Sequence, residues 1–207
     1  MAERGRPRRF DRTDALDRAL MAFWRKGYEA TSMGDLVAAM GINSPSLYAA
    51  YGSKEALFCE AVQHYCEHYA VGLLSALNDA RDAAHGLAAM FDAAITLFTQ
   101  PRHPYGCFIV MAAAGNAPAS PEIQDKLSEL RRERSDHIAA RIERDVAEGR
   151  LRPDLPIGAL ADLYTAILQG MAVAARDGIS PSRLAHLYIP SLSLLDGIPR
   201  CRRGDDP

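Results

Sequence analysis

The chain has no phosphate-cradling glycine loop and no Gly-Xaa-Ser-Xaa-Gly elbow, so the usual signatures of nucleotide-hydrolysing and acyl-transferring enzymes are missing. Cysteine is sparse. Cys59, Cys66, Cys107 and Cys201 are scattered, with no Cys-Xaa-Xaa-Cys pair, which argues against a zinc ribbon or a disulfide framework and for reduced thiols. The arginine-rich start lacks the apolar run of a secretory signal, and no segment approaches membrane-spanning length without charges or turn residues. The expectation is a cytoplasmic protein with no membrane partner. Glycine and proline fall at boundaries and leave long Ala- and Leu-rich stretches uninterrupted, which predicts an all-α chain. Internal repeats and low-complexity segments are also absent.

Charge of one sign is not in large excess either. The formal net charge is −2, which by itself argues against nucleic acid. Its distribution says more. Residues 1–12 carry five arginines against two acids, whereas residues 61–207 hold fifteen basic and eighteen acidic residues. A basic arm on a mildly acidic body implies that only one end of the molecule meets phosphates.

The periodicity predicts nine helices. The first runs from Asp11 or Thr13 to about Lys26, with Ala15, Leu16, Ala19, Leu20, Phe23 and Trp24 on one face and Gly27 as its stop. Thr31 or Ser32 caps a second helix ending near Met40, whose Val37, Ala38 and Met40 are expected to face inward. Gly41 and Ile42 form a tight turn. Asn43 or Ser44 caps a third helix from Pro45 to Tyr51, anchored by Leu47. Ser53 then starts a long helix from Lys54 to about Leu77. Further helices are expected over 87–98, 105–115, 121–148, 154–176 and 182–195.

The third helix is too short to bury a core of its own and shows hydroxyls, an amide and tyrosines instead. A helix that enters a DNA major groove has this character. Asn43, Ser44, Ser46, Tyr48 and Ala49 lie on its outward sides, with Ser46 suited to a base edge or phosphate and Ala49 to a thymine methyl. Tyr48 and Tyr51 offer hydroxyls to phosphates. Lys54 sits at a helix start where free N–H groups already favour an anion, and Thr31 and Ser32 are similarly placed. Arg4, Arg6, Arg8 and Arg9 are placed to follow the backbone or enter the minor groove. The bland alternatives are capping for Ser44, packing for Tyr51 and solubilising disorder for the arm.

Residues 11–58 resemble the N-terminal domain of the TetR/AcrR family of transcriptional regulators. The resemblance is carried by Ala22-Phe23-Trp24, Gly27-Tyr28, Thr31-Ser32-Met33, Leu36, Ala39-Met40-Gly41-Ile42, Ser46-Leu47-Tyr48 and Tyr51-Gly52-Ser53-Lys54-Glu55-Ala56-Leu57. The chain departs from the family at Tyr51, where phenylalanine is usual. A Pro-Tyr-Gly-Cys run at 104–107 resembles an element of a family subset. The resemblance implies a nine-helix homodimer that binds a palindromic operator, usually as a repressor. Four segments are expected: a flexible basic arm over 1–10, a helix-turn-helix domain over 11–58, a helical ligand-binding and dimerisation domain over 59–195, and a flexible tail over 196–207.

The resemblance implies a ligand cavity, with candidate lining residues Phe91, Ile95, Phe98, Tyr105, Cys107, Phe108, Met111, Ile138, Tyr164 and Gln169; most are equally suited to an ordinary core, and Tyr164 and Gln169 stand apart because a buried polar group needs a partner. The helices 154–176 and 182–195 are expected to form the dimer through Leu160, Leu163, Ile167, Leu168 and Met171, then Leu184, Leu187, Tyr188 and Leu195. Neither an enzyme nor a cofactor is expected, and the partners are double-stranded DNA, a second copy and an unidentified small effector. His64 and His68 are four apart, a spacing that can hold a metal, but Cys59 and Cys66 do not share their stripe, so surface histidines are the expectation. The alternative function is a DNA-binding regulator switched by a partner or by oxidation or an electrophile at Cys107, which sits at a helix start.

Overall fold

A computed structural model describes residues 11–113 and 120–197. Among them the secondary structure is ten α-helices and one 3-10 helix. The arginine arm and Cys201 lie outside these residues. The helices are α1 (Arg12–Lys26), α2 (Met33–Met40), α3 (Ser44–Tyr51), α4 (Lys54–His68), α5 (Val71–Asp79), α6 (Ala83–Thr99), α7 (Phe108–Ala113), α8 (Pro121–Ala147), α9 (Ile157–Arg176) and α10 (Pro181–Tyr188), followed by the 3-10 helix Ile189–Asp196.

Caps set most of these boundaries. Asp11 accepts from the amides of Thr13 and Asp14, and Gly27 closes α1 at a positive φ of 80° that costs glycine nothing. Ser32 and Asp35 form a reciprocal capping box on α2. Asn43 accepts from the amide of Ser46, Ser53 from Ala56, and Asp82 from His85. On α2 Leu36 and Met40 are buried and Val37 packs half-buried against the core, whereas Ala38 is exposed, contrary to expectation. The helix is short and its buried stripe follows a four-residue spacing set by contact with α1.

Two expected helices are each divided. The helix starting at Lys54 ends at His68, because the amides of Tyr69 and Ala70 both turn back to the carbonyl of Tyr65 before α5 begins. The turn is fixed from outside. Tyr69 donates its hydroxyl to Asp17 of α1 at 2.5 Å, and α5 is drawn onto α6 so closely that a Cβ on Gly86 would lie 2.4 Å from the Leu77 carbonyl oxygen. The last helix changes to 3-10 geometry at Ile189, where Pro190 lacks an amide proton.

One apolar core runs through both ends of the molecule. Leu20, Phe23, Leu36, Leu47 and Leu57 fill the space among α1–α4, and each such burial contributes roughly 1.5–3 kcal/mol. Trp24 carries the core onward, with ring centroids 5.1 Å from Tyr65 and 4.6 Å from His103, and Phe108 lies 5.5 Å from Phe58. α4 crosses residue 58 without a break and serves both parts.

In the larger part, buried Arg141 on α8 donates to the carbonyls of Leu77 and Ala80 and to Asp145 at 2.5 Å. Asp145 also accepts from the amide of Ala83 and from Arg150. One ion pair therefore ties the end of α5 and the start of α6 to α8. α9 is long and apolar enough to cross a membrane by length and composition alone. It carries Asp162, and Leu160, Tyr164, Leu168 and Met171 are buried against the neighbouring helices, as in a core helix.

Candidate functional site

α3 is held by Leu47 and Tyr51, both buried, and turns Ser44, Tyr48 and Ala49 to solvent. Tyr48 is 51% exposed, a large aromatic side chain left on the surface. Ser46 is half-buried, and Asn43 uses its side-chain oxygen as a cap, which leaves its amide NH2 outward. Gly41 supplies the left-handed residue of the α2–α3 turn at φ 68°. Lys54 is half-buried, with its ammonium 4.3 Å from the ring centroid of Tyr28. That contact aims a cation along the start of α4 and reduces its freedom before any anion arrives.

Three hydroxyls expected to reach phosphate are engaged internally. Tyr51 is buried under α1 and donates to the Arg12 carbonyl at 3.0 Å. Thr31 is buried and donates to the Gly27 carbonyl at 2.6 Å. Ser32 is exposed, but its hydroxyl donates to Asp35 at 2.8 Å and accepts from the Asp35 amide at 3.1 Å. These side chains set the scaffold around α3. Asp35 also pairs with Lys26 at 2.7 Å, and the hydrogen bonds from Lys26 and Ser32 hold its carboxyl well below the ordinary range.

Residues 15–61 match the bacterial regulatory proteins, tetR family, and residues 83–187 match the tetracyclin repressor-like C-terminal domain. The chain belongs to the TetR family. It is 34% identical to the HTH-type transcriptional repressor ComR of Escherichia coli strain K12, over 92% of this chain and 91% of that protein. It is 28% identical to the HTH-type transcriptional repressor BdcR of the same organism, over 87% of this chain and 86% of that one. Its fold superimposes on the TetR family regulator CifR, as a cysteine mutant solved with a 26 bp operator duplex, with a TM-score of 0.86, 39% identity and 90% and 98% of the two chains covered.

The TetR-type large domain holds a partly open cavity of about 400 Å³ between α4, α5, α7 and α8. Ala70, Leu73 and Ile109 form its buried floor, and Cys66, Leu74, Leu130 and Arg134 its half-buried wall. None of the ten lining candidates borders this cavity. Phe91, Phe98, Phe108, Ile138 and Tyr164 are fully buried core, with Ile95 and Cys107 nearly so. Tyr105 is exposed and Met111 half-buried. Gln169 borders a shallow surface groove with Arg131 and Asp162. Burial raises the Tyr164 hydroxyl to about 12, and it donates to the Ser191 carbonyl at 3.0 Å, so its need for a partner is met within the fold. Apolar residues of a filled core and of a cavity wall look alike in sequence, and only the packing of the helices tells them apart.

The outer face of the last helices is also redistributed. Leu160, Leu168, Met171, Leu184, Tyr188 and Leu195 are buried inside the protomer. Tyr188 stacks on Phe91 at 4.7 Å and donates to Asp92 at 2.6 Å. What stays outside on α9 is a stripe of Ala159, Leu163, Ala166, Gly170 and Val173, with Ile167 half-buried beside it and Leu187 and Ile189 exposed nearby. The spacing of three and four residues is that of one helix face left without a partner.

His64 is buried, with Nε2 at 3.4 Å from Asp17, and its ring lies 4.2 Å from that of His68. Among the described residues no group of three or more metal-ligating side chains is assembled. Cys107 is buried, and the Tyr65 hydroxyl donates to its Sγ at 3.4 Å. Burial raises the Tyr65 hydroxyl well above its usual value, with the neighbouring Cys107 adding to the effect.

Proposed function

We propose that this TetR-family protein is a homodimeric repressor that binds a palindromic operator through α3 and is released by a small effector. The observation that carries the reading is the pairing of two outward faces in one chain. One is the polar and aromatic face of α3. The other is the apolar stripe of α9, which a second copy covers by forming a four-helix bundle with the end of the chain. A dimer then presents two reading helices to successive major grooves about 34–36 Å apart. Ser44, Ser46, Tyr48 and Ala49 face the groove, Asn43 offers its free amide, and Lys54 meets a phosphate, with the arm residues Arg4, Arg6, Arg8 and Arg9 adding backbone contacts.

The effector acts by population shift. It favours a packing of the large domain in which α4 is tilted and the spacing of the two α3 helices no longer fits the operator. A differential affinity of a few kcal/mol is enough for release. The switched alternative, oxidation or alkylation of Cys107, draws support from the polar contact on its sulfur, the hydroxyl donated by Tyr65. Its burial favours the small-molecule reading, because a reagent reaches the sulfur only after the core opens.

Selecting duplexes from a random pool with the full-length protein tests the proposal. Recovery of an inverted repeat bound by two copies, with affinity falling steeply in salt, supports it. Recovery of no sequence, with no binding even at low salt, refutes it.

A further inference from the structure

We infer that the cavity between α4, α5, α7 and α8 is the effector site and that it takes an amphipathic small molecule bearing one carboxylate. The assignment deepens the regulatory reading above and rests on it for its consequence at the DNA; binding itself is measurable separately.

The shape and wall set the apolar part of the ligand. The volume of about 400 Å³ lies at the lower end of the range of small-molecule pockets, roughly 300–1,000 Å³. Its floor of Ala70, Leu73 and Ile109 is buried and carries no side-chain polar atom, so the far end of an occupant must be apolar.

Charge sets the other end. Arg134 is half-buried on the wall, and it makes no hydrogen bond or ion pair among the described residues. A guanidinium partly removed from water without a partner is an open demand for an anion, and its planar fork fits a carboxylate with two parallel hydrogen bonds. His137, one turn further along α8, adds a donor at the rim. The acids Glu133 and Asp79 border the cavity as well, but both are exposed at its mouth. They oppose entry of a dianion such as a phosphate monoester more than that of a monoanion. Burial pushes the Cys66 thiol up, so it serves as a neutral wall group.

Position couples the site to the reading domain. Ala70, in the break between α4 and α5, and Val71, the first residue of α5, both line the cavity. Tyr65 and Tyr69, on the turn before, pack edge-on against Trp24 of α1 at 5.1 and 5.9 Å. An occupant held between Arg134 of α8 and this break displaces α4 against the domain that carries α3.

The test uses full-length protein with octanoate and phenylacetate as probes, and octanol and phenylethanol as their neutral counterparts. Calorimetry is expected to show at least one acid bound about tenfold or more tighter than its alcohol, a difference of roughly 1.4 kcal/mol. Arg134→Gln should abolish that preference, and Arg134→Lys should restore part of it. Leu74→Trp, which fills the cavity, should remove binding of acid and alcohol alike. Melting temperatures identify any variant that fails to fold, and Arg134→Gln, at a half-exposed position, carries the test if Leu74→Trp does not fold. The bound acid should also slow alkylation of Cys66 by iodoacetamide while leaving exposed Cys59 unaffected.

Equal binding of acids and alcohols, unchanged acid binding in Arg134→Gln, or no binding of either acid overturns the site. Acid binding that leaves affinity for the selected duplex unchanged keeps the site and defeats the effector function. Release from DNA that persists in both Arg134→Gln and Leu74→Trp keeps the effector function and defeats the site.

Discussion

Arg176, in the last turn of α9, donates to the carbonyl oxygen of Trp24, near the end of α1, at 3.2 Å. Its second arm donates to the carbonyl of Arg25 at 3.0 Å. The final carbonyls of a helix lack intrahelical partners, and here the helix that carries the unpartnered apolar stripe supplies them. The end of α1 is thereby pinned to α9. Arg176→Met is expected to cost about 0.5–1.5 kcal/mol, the usual net worth of an exposed charge-assisted contact, and to lower affinity for the selected duplex. Urea unfolding and duplex binding check this. A variant of unchanged stability and affinity would show that the clamp carries no load.

Tyr51 and Tyr48 should separate cleanly. Tyr51→Phe removes a bond to the Arg12 carbonyl and returns the family's usual residue, so about 0.5–1.5 kcal/mol of stability is lost while DNA affinity and its salt slope stay unchanged. Tyr48→Ala leaves stability nearly unchanged, because the ring is half-exposed, and weakens DNA binding. A fluorescence-anisotropy titration of both variants distinguishes them, and the reverse pattern would mean that α3 presents its other face.

Lys54→Ala is expected to weaken binding to all duplex sequences about equally and to reduce the salt slope by up to about one. It also removes the contact with the Tyr28 ring, worth about 0.5–1 kcal/mol of stability. Loss confined to one sequence would contradict a phosphate role.

The Arg141–Asp145 pair gives a pH prediction. Burial pushes the Asp145 carboxyl up, but hydrogen bonds from Arg150 and the Ala83 amide, and then Arg141, outweigh it and leave the group below the ordinary aspartate range. A carboxyl depressed on folding stabilises the fold above its unfolded pKa and loses that contribution as pH falls through its folded value. Stability should therefore decline below about pH 4, and Asp145→Asn should flatten that decline. Arg141→Met leaves a buried carboxylate short of a partner and is expected to cost about 3–5 kcal/mol, part of which a second change of Asp145→Leu recovers. Denaturant melts across the acid range provide the check.

Gly86→Ala should destabilise by about 1–3 kcal/mol, because the new methyl meets a backbone carbonyl rather than a movable side chain. Gly72→Ala, on the same short helix pair but with open space around it, should be neutral or slightly stabilising by comparison. Equal melting temperatures for the two would show that α5 and α6 separate easily.

Much of the fold was legible because its boundaries are local chemistry. Ser32, Asn43 and Ser53 announce helix starts, and Gly27, Gly41 and Gly52 the stops. The break after His68 was not legible, since Tyr69 and Ala70 are neither caps nor helix breakers and the turn is imposed by Asp17 and by the approach of α6. In the DNA-facing region, the outward placing of Ser44, Tyr48 and Ala49 followed from the anchor at Leu47. Tyr51 did not, because one turn beyond an anchor a tyrosine can point its hydroxyl outward or, as here, beneath α1. The cavity was missed for another reason. Arg134 lies within a run of four charged residues, Arg131 to Arg134, that reads as a solvated face, and its half-burial comes from helices distant in sequence.

In the proposed complex two copies of α3, held by paired α9 helices, read one face of a duplex. Binding should be measured to the selected inverted repeat and to the same duplex with about five base pairs inserted between its half-sites, half a helical turn. The insertion is expected to lower affinity close to that for unrelated DNA while protein dimerisation is unchanged. Equal binding to the two duplexes would contradict it.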